Sequence, residues 1–452
     1  MIQTVSGALE KFQTSVGIKF QLYNSLFLSL PFYGVDKTGI LLSLFNTDCE
    51  EGFASGKSPQ EIIESFFESH LTDDKLDFLF RFVQYTERQV VLFDALEDAA
   101  FTELNDFNGA GTLTQLEARV LQENRSGEFA EKLNNFSVRL VLTAHPTQFY
   151  PGAVLGIIND LVEAIEKNDV SLINSYLQQL GRTPFFKKQK PSPFDEAQSL
   201  IWYLENVFYE AIGNIASDLK SSFPAEVFDL SNLVKMGFWS GGDRDGNPFV
   251  TTETTLKTAD ALRLAVLRCY YRDTRRLKRR LTFTGVDALL SELENKLYAN
   301  TFLAERNDLT KDEMLTYLTR IRAMLLENHN GLFVHLVDNL LEKVNTFGLY
   351  FAALDIRQDS GVHAKVLEDL AVRGFLPENY SSLSDAEKIE TLLNIKQPAK
   401  PENFTDELTK DTLQNIAAHF APPLNGLPRY PISTSTIATA MPISTTHALS
   451  HC

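Results

Sequence analysis

The segment GFWSGGDRDGNP at 237–248 places two aspartates, an arginine and a tryptophan among four glycines. Glycines allow positive φ or close approach of a ligand to the backbone. Asp243, Arg244 and Asp245 set alternating charges on the resulting turn, and the apolar run Leu233 to Phe238 leads into it. An apolar strand that ends in such a turn is how a parallel α/β structure presents chemistry. Arg244 would offer its fork to a phosphate or carboxylate, or be held by the flanking acids as a salt-bridged turn. A calcium loop is excluded, because Pro248 and Thr254 stand where glycine and glutamate are required.

Two further clusters have the same form. In TAHPTQ at 143–148, Pro146 forces His145 into an extended conformation after an apolar run. An imidazole there suits proton transfer near neutral pH, or is simply hydrogen-bonded in a turn. In DIRQDS at 355–360, Arg357 lies between acids. It would contact a phosphate or close an ion pair at a strand end. GFASGKS at 52–58 is one residue short of a phosphate loop, and Ser58 serves as a helix cap. The basic run at 272–280 would spread around a helix and pair with nearby acids, with RNA binding as the alternative.

These clusters need scaffolding. Val138–Thr143, Leu233–Phe238 and Tyr350–Leu354 break an otherwise helical periodicity and read as buried strands. Helices are expected at 59–71, 76–100, 196–219, 255–281 and 312–327, the last stopped by Asn-His-Asn-Gly at 328–331. The fold class is therefore α/β and predominantly helical, as the first part of a β/α barrel of the TIM type, incomplete because a closed barrel takes about eight strands. Three regions are expected: a helical region at 1–135, barrel strands with helical insertions at 136–417, and a tail at 418–452. From His419 onward Arg429 is the sole charged residue among Ser, Thr and Pro, so the tail reads as disordered.

At 452 residues, with 44% hydrophobic and 22% charged, the chain is long and apolar enough to fold. A net charge of −17 argues against nucleic acid as a partner, though a few local arginines still suffice for a small anion. Cys49, Cys269 and Cys452 show no metal-like spacing and suit a reducing, cytoplasmic setting. No segment reads as a secretory signal or as a membrane span.

Taken together, VLTAHPTQ at 141–148, GFWSGGDRDGNPFVT at 237–251 and LDIRQDS at 354–360 resemble phosphoenolpyruvate carboxylases, in that family's order. KPSPFDEA at 190–197 is similar as well, and the likeness covers roughly 1–417. The resemblance implies a lyase that joins phosphoenolpyruvate and bicarbonate into oxaloacetate and phosphate, supplying the tricarboxylic acid cycle. It implies His145 as the catalytic histidine acting on carboxyphosphate. Arg357 would be a phosphate-binding arginine, with Asp243, Arg244 and Asp245 shaping and charging the pocket beside Trp239. It further implies Mg²⁺ or Mn²⁺ as cofactor and a homo-oligomer, tetrameric in the family. Family members are about twice as long, and their metal-ligating acids lie in the second half. The expectation is thus a truncated or frame-shifted chain, inactive alone; the alternative is a non-catalytic fragment that associates with full-length subunits.

Overall fold

The computed structural model describes residues 2–29, 38–70, 75–143, 150, 152–185, 191–224, 226, 228–303, 309–395, 399–420 and 432–437. The chain is predominantly helical, with a small parallel sheet. It divides into two compact units, and the backbone passes between them three times: Met1–Ala118 with Pro146–Lys190, and Arg119–His145 with Pro191–Cys452.

The first unit is helical. The helix Lys75–Leu104 packs on Gly152–Glu166, because Leu92, Leu96, Ile157, Leu161 and Ile165 recur at helical spacing and bury together. Arg88 is buried there and keeps its donors satisfied by backbone carbonyls: Nη1 donates to Gln84 at 2.8 Å, Nε to Leu180 at 3.2 Å and Nη2 to Thr183 at 3.0 Å. Ser58 and Glu61 form a reciprocal cap ahead of the helix Pro59–His70, so the phosphate-loop lookalike is a helix start.

The second unit holds the sheet, in the order β1 (Val138–Leu142), β2 (Val234–Phe238), β3 (Ala353–Asp359) and β4 (Ile432–Ile437), all parallel. Val138 pairs with Val234 and Leu142 with Phe238; Leu354 pairs with Ile432 and Asp359 with Ile437. Helices Thr252–Arg280, Val286–Phe302, Lys311–Asn328 and Val334–Phe347 fill the connection from β2 to β3 around a shared apolar core. Inside that core Lys343 is only 2% exposed. It donates to Glu210 at 2.7 Å and to Asp273 at 3.1 Å, and Tyr209 donates to the same Asp273 at 2.8 Å. The buried ammonium thus faces two carboxylates, which offset its desolvation.

Three expectations need correction. Tyr350–Leu354 is not the third strand: β3 runs from Ala353 to Asp359, so the polar DIRQD segment is strand rather than the loop beyond it. The cause is pairing on both sides, since a parallel ladder needs backbone partners and not apolar side chains. β1 is not a buried strand; it lies at the sheet edge among the described residues, with Val138 37% and Leu140 39% exposed. Within the tail, 432–437 is a strand rather than disordered: its β-branched Ile and Thr residues suit the edge that β3 offers.

The basic helix end is a paired face. Arg275 and Lys278 reach Glu294, at 3.5 and 2.7 Å, and Arg276 reaches both Glu210 and Asp273 at 3.2 Å.

Candidate active site

β2 delivers its loop to the carboxyl end of the sheet. The Trp239 N–H donates to Leu142 O of β1 at 2.9 Å, and the chain then turns, with Gly242 N and Asp243 N both donating to Trp239 O at 2.9 Å. The loop next returns to β3. Arg357 N donates to Gly242 O at 3.1 Å and Arg244 N donates to Arg357 O at 2.8 Å, which makes Asp243 and Arg357 a parallel bridge pair. This return explains two of the glycines. Gly241 sits at φ +80°, and a Cβ on Gly242 would overlap the backbone carbonyl of Asp355.

The ladder brings four of the sequence-predicted residues together. Arg357 Nη1 donates to Asp243 Oδ2 at 2.9 Å, and its guanidinium lies 4.2 Å from the Trp239 ring centre. Arg244 follows on the loop and is 8% exposed. Its Nη2 pairs with Asp411 of the helix Glu407–Phe420. Its Nε and Nη1 are buried with no hydrogen-bond partner among the described residues. Asp245, by contrast, is exposed, and its backbone N–H donates to Asp243 Oδ1 at 3.4 Å. His145 lies outside the described residues.

Sequence reasoning missed three carboxylates and a histidine. Asp355 accepts from Trp239 Nε1 at 3.0 Å and pairs with Arg139, so it sets the ring against which Arg357 lies. Asp411 accepts from Thr252 N at 3.0 Å as well as from Arg244. Asp359 caps the helix Ser360–Val372 through Gly361 N and Val362 N, at 2.8 and 3.3 Å. His363 of that helix has a buried Nδ1 without a partner among the described residues. Burial, then the neighbouring Arg244, hold its imidazole below the ordinary histidine value, while Asp359 pulls it upward. Burial pushes the Asp243 carboxyl above the usual carboxylate range, against the pull of Arg357. The only forewarning of Asp355 was its place two residues before Arg357; Asp411 carried no local signal.

Among the described residues, no group of three or more His, Cys, Asp or Glu side chains is placed to hold a metal ion. No helix described is long and apolar enough to cross a membrane.

A parallel sheet flanked by helices, with Arg244 and Arg357 each paired to a carboxylate near the carboxyl ends of its strands, defines an α/β protein. The family model for phosphoenolpyruvate carboxylase matches residues 86–308 and 294–421. The chain belongs to that family. It is 27% identical to a phosphoenolpyruvate carboxylase of Psychromonas ingrahamii over 329 residues, 61% of this chain and 37% of the relative. It is equally 27% identical to that of Aeromonas salmonicida over 359 residues, 68% of this chain and 41% of the relative. The chain thus spans about two fifths of the length of the curated relatives it matches.

Proposed function

We propose that the loop after β2 and the end of β3 form the anion-receiving part of a phosphoenolpyruvate carboxylase site. The reaction would carboxylate phosphoenolpyruvate with bicarbonate to oxaloacetate and phosphate. The observation that carries this reading is Arg244: a buried guanidinium with two nitrogens lacking an acceptor among the described residues. A buried cation left in that state favours an oxyanion, to which charge-assisted hydrogen bonds are strongest.

In the proposed reaction two anions must be brought together, and arginines offset their repulsion. A bicarbonate oxygen attacks the phosphorus of phosphoenolpyruvate; the bond from phosphorus to the enol oxygen breaks, leaving carboxyphosphate and the enolate of pyruvate. Carboxyphosphate splits into carbon dioxide and phosphate, and the enolate carbon bonds to carbon dioxide. Arg244 and Arg357 would hold the phosphate, with Trp239 and Asp243 fixing the Arg357 plane. His145 would take the proton from carboxyphosphate and return it to phosphate. Mg²⁺ or Mn²⁺ would neutralise substrate oxygens in this chemistry. The carboxylates described do not fit its coordination, because Asp243, Asp355 and Asp411 are each held by arginine.

The sheet supports a barrel reading. Each strand lies beside its predecessor in sequence, as in a β/α barrel, rather than reversing about a central strand as in a doubly wound sheet.

The test is calorimetric titration of the chain with phosphoenolpyruvate. Arg244→Gln is expected to weaken binding by about 10–100-fold, the worth of one or two charge-assisted hydrogen bonds. His145→Asn is expected to retain phosphoenolpyruvate binding, because its proposed role is proton transfer and not holding the substrate. Equal affinity in Arg244→Gln would remove Arg244 from the site.

A further inference from the structure

The two oxygens of Asp411 serve different masters. Oδ1 accepts from the Thr252 N–H at the start of the helix Thr252–Arg280, at 3.0 Å, and Oδ2 pairs with Arg244 Nη2. The Asp411 carbonyl also accepts from Thr252 Oγ1 at 2.8 Å. The carboxylate is thereby fixed by a helix end before it meets the guanidinium, and Arg244 is held by one nitrogen while Nε and Nη1 stay uncommitted among the described residues. The guanidinium is rigid and planar, so fixing Nη2 fixes the directions of the other two nitrogens.

We infer that Asp411 is a positioning residue for the anion site, aiming the uncommitted nitrogens of Arg244 at the substrate oxyanion. The inference rests on the reading of Arg244 as an anion-binding group. It concerns a residue more than 160 positions from the loop it orients, on a helix that carries none of the site motifs. A bidentate carboxylate is needed for the task. An asparagine has one acceptor oxygen, so it serves either Thr252 or Arg244 and turns an N–H₂ toward the other donor.

The electrostatics make the test sharp. Asp411 puts a negative charge beside an anion site, so removing that charge alone would tighten anion binding. Loss of aim would weaken it. The experiment is titration of the full chain with phosphoenolpyruvate, comparing Asp411→Asn, Asp411→Glu, Thr252→Val and Arg244→Gln, with the thermal midpoint of each variant measured alongside. Asp411→Asn is expected to weaken binding about tenfold despite deleting a repelling charge. Asp411→Glu, which keeps the charge and both oxygens but moves them by one methylene, is expected to weaken it several-fold. Thr252→Val, which removes the hydroxyl tie to the Asp411 carbonyl but keeps the backbone N–H on Oδ1, is expected to lower the midpoint and to weaken binding less than Asp411→Asn does.

Unchanged or tighter binding in Asp411→Asn would overturn the inference. If that variant does not fold, unchanged binding in Asp411→Glu would overturn it equally. Should Arg244→Gln bind as well as the parent chain, or the parent chain not bind, the anion-site reading fails and takes the inference with it. A loss in Arg244→Gln without one at Asp411 fails the inference alone.

Discussion

His363 shows how a single residue of this site is tuned. Its imidazole sits near Arg244, with Nδ1 buried, and burial and that arginine both oppose protonation against the weaker pull of Asp359. The folded-state value lies below the ordinary 6.5, so between the two the unfolded chain binds more protons. Stability is therefore lost as pH falls through that window and is retained above about pH 6.5. His363→Gln is expected to flatten the slope of unfolding free energy between about pH 7 and 5. Urea denaturation across that range checks it, and an unaltered slope would show that protonation of His363 is not opposed in the fold. Residues of this kind were the hardest to see in advance. Trp239, Asp243 and Arg244 stand in a motif dense in charge and glycine, and Arg357 stands in one dense in charge, which local reasoning finds. Asp411 and His363 stand on ordinary helical periodicity, and only the tertiary meeting of their helices with the loop brings them to Arg244.

At the scale of elements, Gly242 and Gly246 serve the turn after β2 for different reasons. Gly242 has no unusual torsion requirement, but its missing side chain lets the loop close on the Asp355 carbonyl. Gly246 has open space around it and a φ of +67°. Gly242→Ala should push the loop off β3, cost about 1–3 kcal/mol or more, and break the bonds that aim Arg244. Gly246→Ala should cost only about 1–2 kcal/mol, the torsional penalty of a left-handed residue. Paired chemical denaturation curves and phosphoenolpyruvate titrations test the contrast; equal losses of binding would mean that close approach at Gly242 does not order the loop. β1 and β2 were legible because apolar β-forming runs interrupt helical spacing. The reach of β3 through Asp355, Arg357 and Gln358 was not, since polar residues at the end of an apolar run read as loop. Nor was β4, whose Ser and Thr content suggested disorder although the same residues are good strand formers.

For the molecule as a whole, the sheet edge matters most. β1 presents Val138 and Leu140 to solvent and pairs only with β2 among the described residues. Exposed apolar edges invite pairing between chains. The 452-residue chain is expected to self-associate as its concentration rises, and Leu140→Lys to reduce this without lowering the thermal midpoint. Light scattering across a concentration series decides it; association unaffected by the charge would place the contact elsewhere. The division into two units was the least legible feature of all, because Ala118, Pro146 and Lys190 mark no change in composition. The register of the sheet also sets a timetable for synthesis. Val138 must wait for Val234, roughly 100 residues later, which at about 5–20 residues per second leaves the first strand without its neighbour for some 5–20 s. During that interval the nascent chain carries an extended segment whose ladder partner has not been made, an opening for a chaperone that binds extended chain.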